Sequence, residues 1–341
     1  MATFLINEKN LIHNVNFIKN SLKRGVKLCA MIKAQAYGHD ACLVASILEK
    51  HVHYFGVAKI MEGIELRIAG IKTPILCVGT FTCKELHLAH LYNIDVCVHN
   101  MITLENVLNF DKNLRVHIKI DTGMTRLGFK HKNEVFRAFY QLYRCKKISI
   151  VGVFSHFYNA KSHKDAKLQF DTFKNLTSFI PKKIIRHIAS SNACLNKKYM
   201  LGMVRVGMLI YGYGLKELKP VLSITSEVVD IHKLLSGQSV SYDACFKAEK
   251  QCYIATIPFG YADGMDMRYS GAYVIINNKK FKIVGKICMD MFMVLVDNDV
   301  KVGDKVTILY DANYLAEYSG KSVYEVLSNF KMKRCDVLIE R

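Results

Sequence analysis

A chain of 341 residues with 51% apolar content has material for two folded domains, and its longest apolar runs, such as 148–154, are too short to span a bilayer. The formal net charge of +19 would suit a nucleic-acid partner, but the basic residues sit in short doublets spread along the chain (Lys182-Lys183, Lys197-Lys198, Lys279-Lys280), the pattern of a solvated surface. The 11 cysteines are odd in number and lack a C-x-x-C pair, and several lie inside apolar runs (Cys29, Cys77, Cys97, Cys288), which reads as reduced core thiols.

The opening residues, 1–9, carry neither a basic stretch nor a sustained apolar one, so no export signal is expected and a cytoplasmic location is. Apolar, β-branched runs then recur at 27–33, 54–58, 74–79, 95–98, 115–120, 149–156, 183–190 and 204–211. Segments of helical period lie between them, for instance 41–51, 60–69 and 133–144. Continuous apolar strands alternating with helices predict a parallel sheet covered on both faces, and eight units close into an α/β barrel of the (β/α)8 type. After about Ser223 the rhythm changes to strands at 223–233, 239–247, 252–257, 272–276, 282–289, 293–296 and 305–309, with turn signals at Ser236-Gly237, Asn277-Asn278 and Val302-Gly303-Asp304. A short helix at 322–329 follows. The expected division is a barrel over 1–222 and a mostly-β domain over 223–341.

The first apolar run ends Cys29-Ala30-Met31-Ile32-Lys33-Ala34-Gln35-Ala36-Tyr37-Gly38-His39. An ammonium at the end of a buried strand is costly, and a partly desolvated lysine with a lowered pKa is a ready Schiff-base former. Snorkelling to solvent explains the same residue, and the motif alone does not decide between the two. No metal-ligand spacing is present.

This segment resembles the lysine motif of alanine racemases, the barrel-type enzymes that use pyridoxal 5'-phosphate (PLP). Further segments resemble the same family in the same order: 119–128 (KIDTGMTRLG), 152–157 (GVFSHF), 204–212 (VRVGMLIYG), 240–242 (VSY) with 258–264 (PFGYADG), and 285–290 (GKICMD). The tail from Tyr324-Glu325 to Arg334 also resembles the family's end, so the likeness spans essentially the whole chain.

The resemblance implies that Lys33 holds PLP and serves as one base, and that Tyr242, from the other subunit of a homodimer, serves as the second. His156 would tune the tyrosine and contact Arg205, which would face the pyridine nitrogen. Tyr37, Ser191, Gly207, Met208 and Tyr324 match phosphate-binding positions. Arg126, Met289 and Tyr261 match substrate-binding ones, and Lys119 a position often carbamylated. The implied activity is the interconversion of L- and D-alanine for peptidoglycan, with no nucleic-acid or membrane partner. Ser190 and Val206 depart from the family's usual asparagine and proline beside the cofactor ring. The rivals are a barrel-type PLP decarboxylase, whose glycine-rich phosphate loop and acid at the ring nitrogen are not found, and a racemase of another small amino acid such as serine.

Overall fold

The computed structural model describes residues 2–341. It divides into two compact units: Ile12–Ala36 with Ala41–Leu218, and a second made of the described residues up to Leu11, Tyr37–Asp40 and Lys219–Arg341.

The chain opens with strand β1 (Thr3–Asn7), which belongs to the second unit. The first unit is an eight-stranded parallel barrel of β2 (Lys27–Met31), β3 (Tyr54–Val57), β4 (Ile75–Cys77), β5 (Ile94–Val98), β6 (Leu114–Lys119), β7 (Ile148–Phe154), β8 (Ile185–His187) and β9 (Met203–Val206). Each predicted apolar run supplies one strand. The strand order is β8-β7-β6-β5-β4-β3-β2-β9, and the Arg205 amide donates to the Ala189 carbonyl at 3.0 Å across the gap between the two edge strands. Every residue of β3, β4, β5 and β9 is buried, as expected of strands packed on both faces. The covering helices are one-sided: Lys132–Arg144 buries Val135, Ala138, Phe139 and Leu142, one stripe at the 3.6-residue period.

The second unit holds a nine-stranded sheet. Its later strands are β10 (Leu222–Glu227), β11 (Asp230–Leu234), β14 (Cys252–Ile257), β15 (Tyr273–Ile276), β16 (Lys279–Val284), β17 (Phe292–Val296), β18 (Lys305–Leu309) and β19 (Asp336–Glu340), with the two-residue pair β12 (Ser239–Val240) and β13 (Phe246–Lys247) apart from it. The order is β11-β14-β17-β16-β15-β18-β10-β1-β19.

The assignment of the chain's start to the barrel therefore needs correction. β1 pairs antiparallel with β10 and parallel with β19. Its residues alternate, with Phe4 and Ile6 buried between half-buried neighbours, which is the pattern of a strand with one covered face rather than a barrel strand. Two predicted strands are also shorter. The run 239–247 breaks at the Tyr242 loop, and 282–289 stops at Val284. The turn at Asn277-Asn278 stands, with φ of 49° and 62° in a tight hairpin between β15 and β16.

Candidate active site

At the C-terminal ends of the barrel strands the chain gathers Lys33, Lys119, Arg126, His156 and Arg205. Lys33 lies two residues beyond β2 and is partly buried. It opens a left-handed segment in which Ala34, Gln35, Ala36 and Tyr37 have φ of 52°, 52°, 54° and 56°. Such a conformation costs L-residues roughly 1–2 kcal/mol each and persists only where neighbours enforce it. The Ala36 amide donates to the Ile32 carbonyl at 2.9 Å, the Ala34 amide to Glu62 Oε1 at 2.8 Å, and the Gln35 side-chain amide to Glu65 Oε2 at 3.0 Å. Burial, reinforced by the charge of Arg126, holds the Lys33 ammonium below its ordinary pKa, with Glu62 opposing.

Lys119 ends β6 and is 5% exposed, its Nζ 5.4 Å above the Phe154 ring. Burial lowers its pKa too, and Arg126, Arg205 and Lys33 add to the shift. Beyond it the chain loops out and returns: the Asp121 amide donates to the Phe129 carbonyl and the Phe129 amide to the Lys119 carbonyl, each at 3.0 Å. Asp121 Oδ1 accepts from the amides of Gly123 at 2.9 Å and Thr125 at 3.0 Å, which shapes the loop that presents the exposed Arg126. Gly128 closes this loop with φ of 129°, and a Cβ there would meet the Asp121 amide nitrogen at 2.5 Å. Lys119, Arg126 and His156 line one small cavity.

Arg205 is 4% exposed in β9. Its guanidinium donates to the Ser155 carbonyl at 2.6 Å, to His187 Nδ1 at 2.7 Å and to His156 Nδ1 at 3.3 Å. None of these acceptors is a carboxylate. Burial brings Arg205 down to about 10, still charged at neutral pH, while the nearby thiols of Cys29 and Cys97 are pushed up to about 12 by burial and stay neutral. His156 is lowered to about 3 by burial and then by the charges of Arg205, Arg126, Lys119 and Lys33, so it is a neutral imidazole. The buried Gln169 steadies this stretch by donating to the His156 carbonyl and to Thr122 Oγ1, each at 3.1 Å.

Ser191 and Gly207 also come together: the Gly207 amide donates to Ser191 Oγ at 3.0 Å, next to the buried turn that begins at Met208. The second unit holds the remaining expected residues. The rings of Tyr37 and Tyr324 lie 5.7 Å apart. Tyr261 and Met289 are neighbours through the Tyr261 amide, which donates to Cys288, and the Ala262 amide, which donates to Met289, both at 3.0 Å. Tyr242 stands on a loop whose flanking residues Ser241, Asp243 and Ala244 have φ of 67°, 56° and 47°, and it is 64% exposed. Ser241 Oγ donates to the Lys286 carbonyl at 2.7 Å, and Asp243 pairs with Lys286, which pins the loop.

The sequence reading missed His187, buried in β8 against Arg205, and the buried His117 behind it. The available signal was a histidine inside each of two apolar runs.

Family models for the alanine racemase N-terminal and C-terminal domains match residues 6–214 and 221–337. The chain belongs to the alanine racemase family. It is 37% identical over 326 residues to alanine racemase 1 of Caldanaerobacter subterraneus subsp. tengcongensis, covering 89% of this chain and 84% of that one. It is 38% identical over 312 residues to the alanine racemase of Treponema denticola, covering 85% and 82%. The solved alanine racemase of Clostridium difficile 630 superposes with a TM-score of 0.94 at 33% identity, covering 99% and 95%. The protein is thus a racemase by family, an isomerase, with a barrel of the expected kind and a separate mostly-β unit. Among the described residues no helix is long and apolar enough to cross a membrane.

Alanine racemases are PLP enzymes, and the residues present fit that group. Four cationic side chains converge without a carboxylate acceptor on Arg205, which suits a guest bearing a phosphate and a substrate bearing a carboxylate. A lysine whose ammonium is destabilised stands among them. Ser191 Oγ and the Gly207–Met208 turn offer a hydroxyl and backbone at a strand end, where barrel enzymes bind phosphate.

Proposed function

We propose that the chain is a PLP-dependent alanine racemase that works with two bases, Lys33 and Tyr242 of the partner subunit, and that it supplies D-alanine for peptidoglycan. The observation that carries this reading is Arg205, buried and charged, with neutral acceptors only. Facing a pyridine nitrogen, a donor that keeps its own protons leaves the ring unprotonated. Bound through Lys33, PLP supplies the electron sink that makes the substrate Cα–H acidic.

The chain's own residues do the rest. Lys33, with its ammonium destabilised by burial, gives up and takes back a proton on one face of Cα. One base cannot reach both faces, so a second group must serve the other. His156 accepts from Arg205 at Nδ1, so its proton sits on Nε2. That N–H would stabilise the phenolate of Tyr242 of the partner subunit. The exposure of Tyr242 at 64%, Met289 at 53% and Tyr261 at 40% supports a second copy covering this face. Arg126 would clasp the substrate carboxylate through its planar fork. Tyr37, Tyr324, Ser191, Gly207 and Met208 would hold the phosphate. The lowered pKa of Lys119 leaves a share of neutral amine, which can add carbon dioxide and release a proton; the resulting carbamate would brace Arg126.

Tyr324 and Tyr261 resemble the bulky residues that crowd the pocket entrance in this family, which favours alanine over larger substrates, with serine next. The test is to incubate the PLP-saturated protein with each common L-amino acid and resolve the products by enantiomer. D-alanine should dominate. Release of carbon dioxide would favour a decarboxylase, and no D-amino acid from any substrate would overturn the reading.

A further inference from the structure

At the other end of the barrel, where β5, β6 and β7 begin, lies a pocket of about 440 Å³. His90, Arg115, Lys146 and Lys147 line it together with Asn113 and Ser149, and no carboxylate does. Lys146 and Lys147 form no ion pair among the described residues, unlike the exposed Lys167, Lys174 and Lys279. A concave wall carrying charge of one sign focuses potential and attracts the opposite ion.

Arg115 ties this pocket to the barrel interior. Its Nε donates to Asp95 Oδ1 at 2.6 Å, and its Nη2 donates to Asp95 Oδ2 at 3.2 Å and to the Tyr54 hydroxyl at 2.8 Å. Asp95 is 1% exposed, and His117 Nε2 stands 3.4 Å from its Oδ2. His117 Nδ1 lies 3.0 Å from His187 Nε2, and His187 Nδ1 lies 2.7 Å from Arg205. Both histidines are fully buried. A guanidinium only donates, so His187 must accept at Nδ1 and carry its proton on Nε2. His117 then accepts at Nδ1 and turns its own N–H toward Asp95. One arrangement of protons serves the line from Arg115 to Arg205; its step from His117 to Asp95 is an electrostatic approach at 3.4 Å, since His117 Nε2 makes no hydrogen bond there.

We propose that the basal pocket binds a small phosphate-type polyanion, and that its occupancy is felt at Arg205 through Asp95, His117 and His187. An anion on Lys146 and Lys147 draws Arg115 into its own field and leaves the Asp95 carboxylate less neutralised. The uncompensated charge polarises His117, then His187, which becomes a stronger acceptor for Arg205; buried hydrogen-bond lines transmit polarisation because little solvent screens them. The coupling rests on the reading of Arg205 as the cofactor-facing residue, whereas the binding does not.

The probe is inorganic pyrophosphate, titrated calorimetrically into PLP-saturated protein so that the cofactor's own phosphate site is filled. Saturable one-to-one binding is expected. The Lys146→Gln/Lys147→Gln double variant should weaken it roughly tenfold, the scale of two exposed charge contacts acting together. Lys280→Gln/Lys282→Gln, which removes the same charge from β16, should leave it intact. Absent binding, unchanged affinity in the first variant, or equal loss in the second overturns the site. For the coupling, ¹⁵N resonances of the His117 and His187 rings should move on binding in the wild type and stay still in Lys146→Gln/Lys147→Gln; rings that stay still in both overturn it. If the protein racemises, kcat should change about two- to fivefold with KM unmoved, within the range of coupling carried by packed networks. A chain that fails to racemise removes the proposed function but leaves the calorimetric and ring-nitrogen results decisive.

Discussion

The guanidinium of Arg205 donates to Nδ1 of His187 across 2.7 Å, wholly inside the barrel, so the residue that best marks the chemistry of this site is held by a neutral imidazole. The same guanidinium donates to the Ser155 carbonyl and to His156. Arg205→Met would keep an unbranched stem, two atoms shorter, and remove all of these donors. A buried acceptor left without a donor costs about 1–3 kcal/mol, so the denaturation midpoint should fall by at least one such increment. Arg205→Lys, with one donating centre in place of a fork, should fall between the two. A variant as stable as the wild type would mean that solvent reaches these acceptors.

Acid should destabilise the protein through His156. Its folded pKa of about 3 lies below the ordinary histidine value, so between about 3 and 6.5 the unfolded chain binds the proton and the folded one does not. Stability is therefore fully present above about 6.5 and is lost as pH falls, by roughly 1.4 kcal/mol per pH unit for each such histidine. His187 is shifted in the same direction by burial and adds to the slope. Denaturant midpoints measured from pH 7 to pH 4 should fall steeply, and His156→Gln should lessen the slope by about one proton's worth.

Gly128→Ala tests the loop that carries Arg126. The substitution forces a side chain into φ of 129° and against the Asp121 amide. Strain of roughly 1–3 kcal/mol is expected, with the loop shifting to relieve part of it. If Arg126 clasps the substrate carboxylate as proposed, KM for the amino acid should rise more than kcat falls. A kcat loss with KM unchanged would assign the loop a different role.

Tyr242→Phe should lower racemisation in both directions by roughly 10²–10⁴-fold, the usual contribution of an acid–base group. Lys33→Ala should be inactive as well. If each site draws Lys33 from one chain and Tyr242 from the other, mixing the two inactive proteins under conditions that exchange subunits should restore about a quarter of wild-type activity, since half the dimers are hybrids with one intact site each. Demonstrated exchange with no recovery would mean that each site is built within one chain.

Local pattern was enough to read the eight barrel strands and the change of architecture near Ser223, because a strand buried on both faces is apolar almost throughout, as β3 and β4 are at every position and β5 at all but Asp95. It singled out Lys33 as a lysine at the end of an apolar strand, whereas Lys119, His156, Arg205 and Tyr242 became candidates through the resemblance of their motifs to alanine racemases. Three features were settled only by tertiary structure. β1 joins a sheet whose other strands come from residue 222 onward, a pairing decided by which face of Thr3–Asn7 finds cover. The four left-handed residues after Lys33 are not glycines, and anchors at Ile32, Glu62, Glu65 and Ala41 help hold them there against their own preference. The line of Asp95, His117, His187 and Arg205 joins residues from four different strands. Polar groups so far apart in sequence cannot be matched by spacing; they become partners only when barrel closure buries them and each must find an acceptor or donor inside.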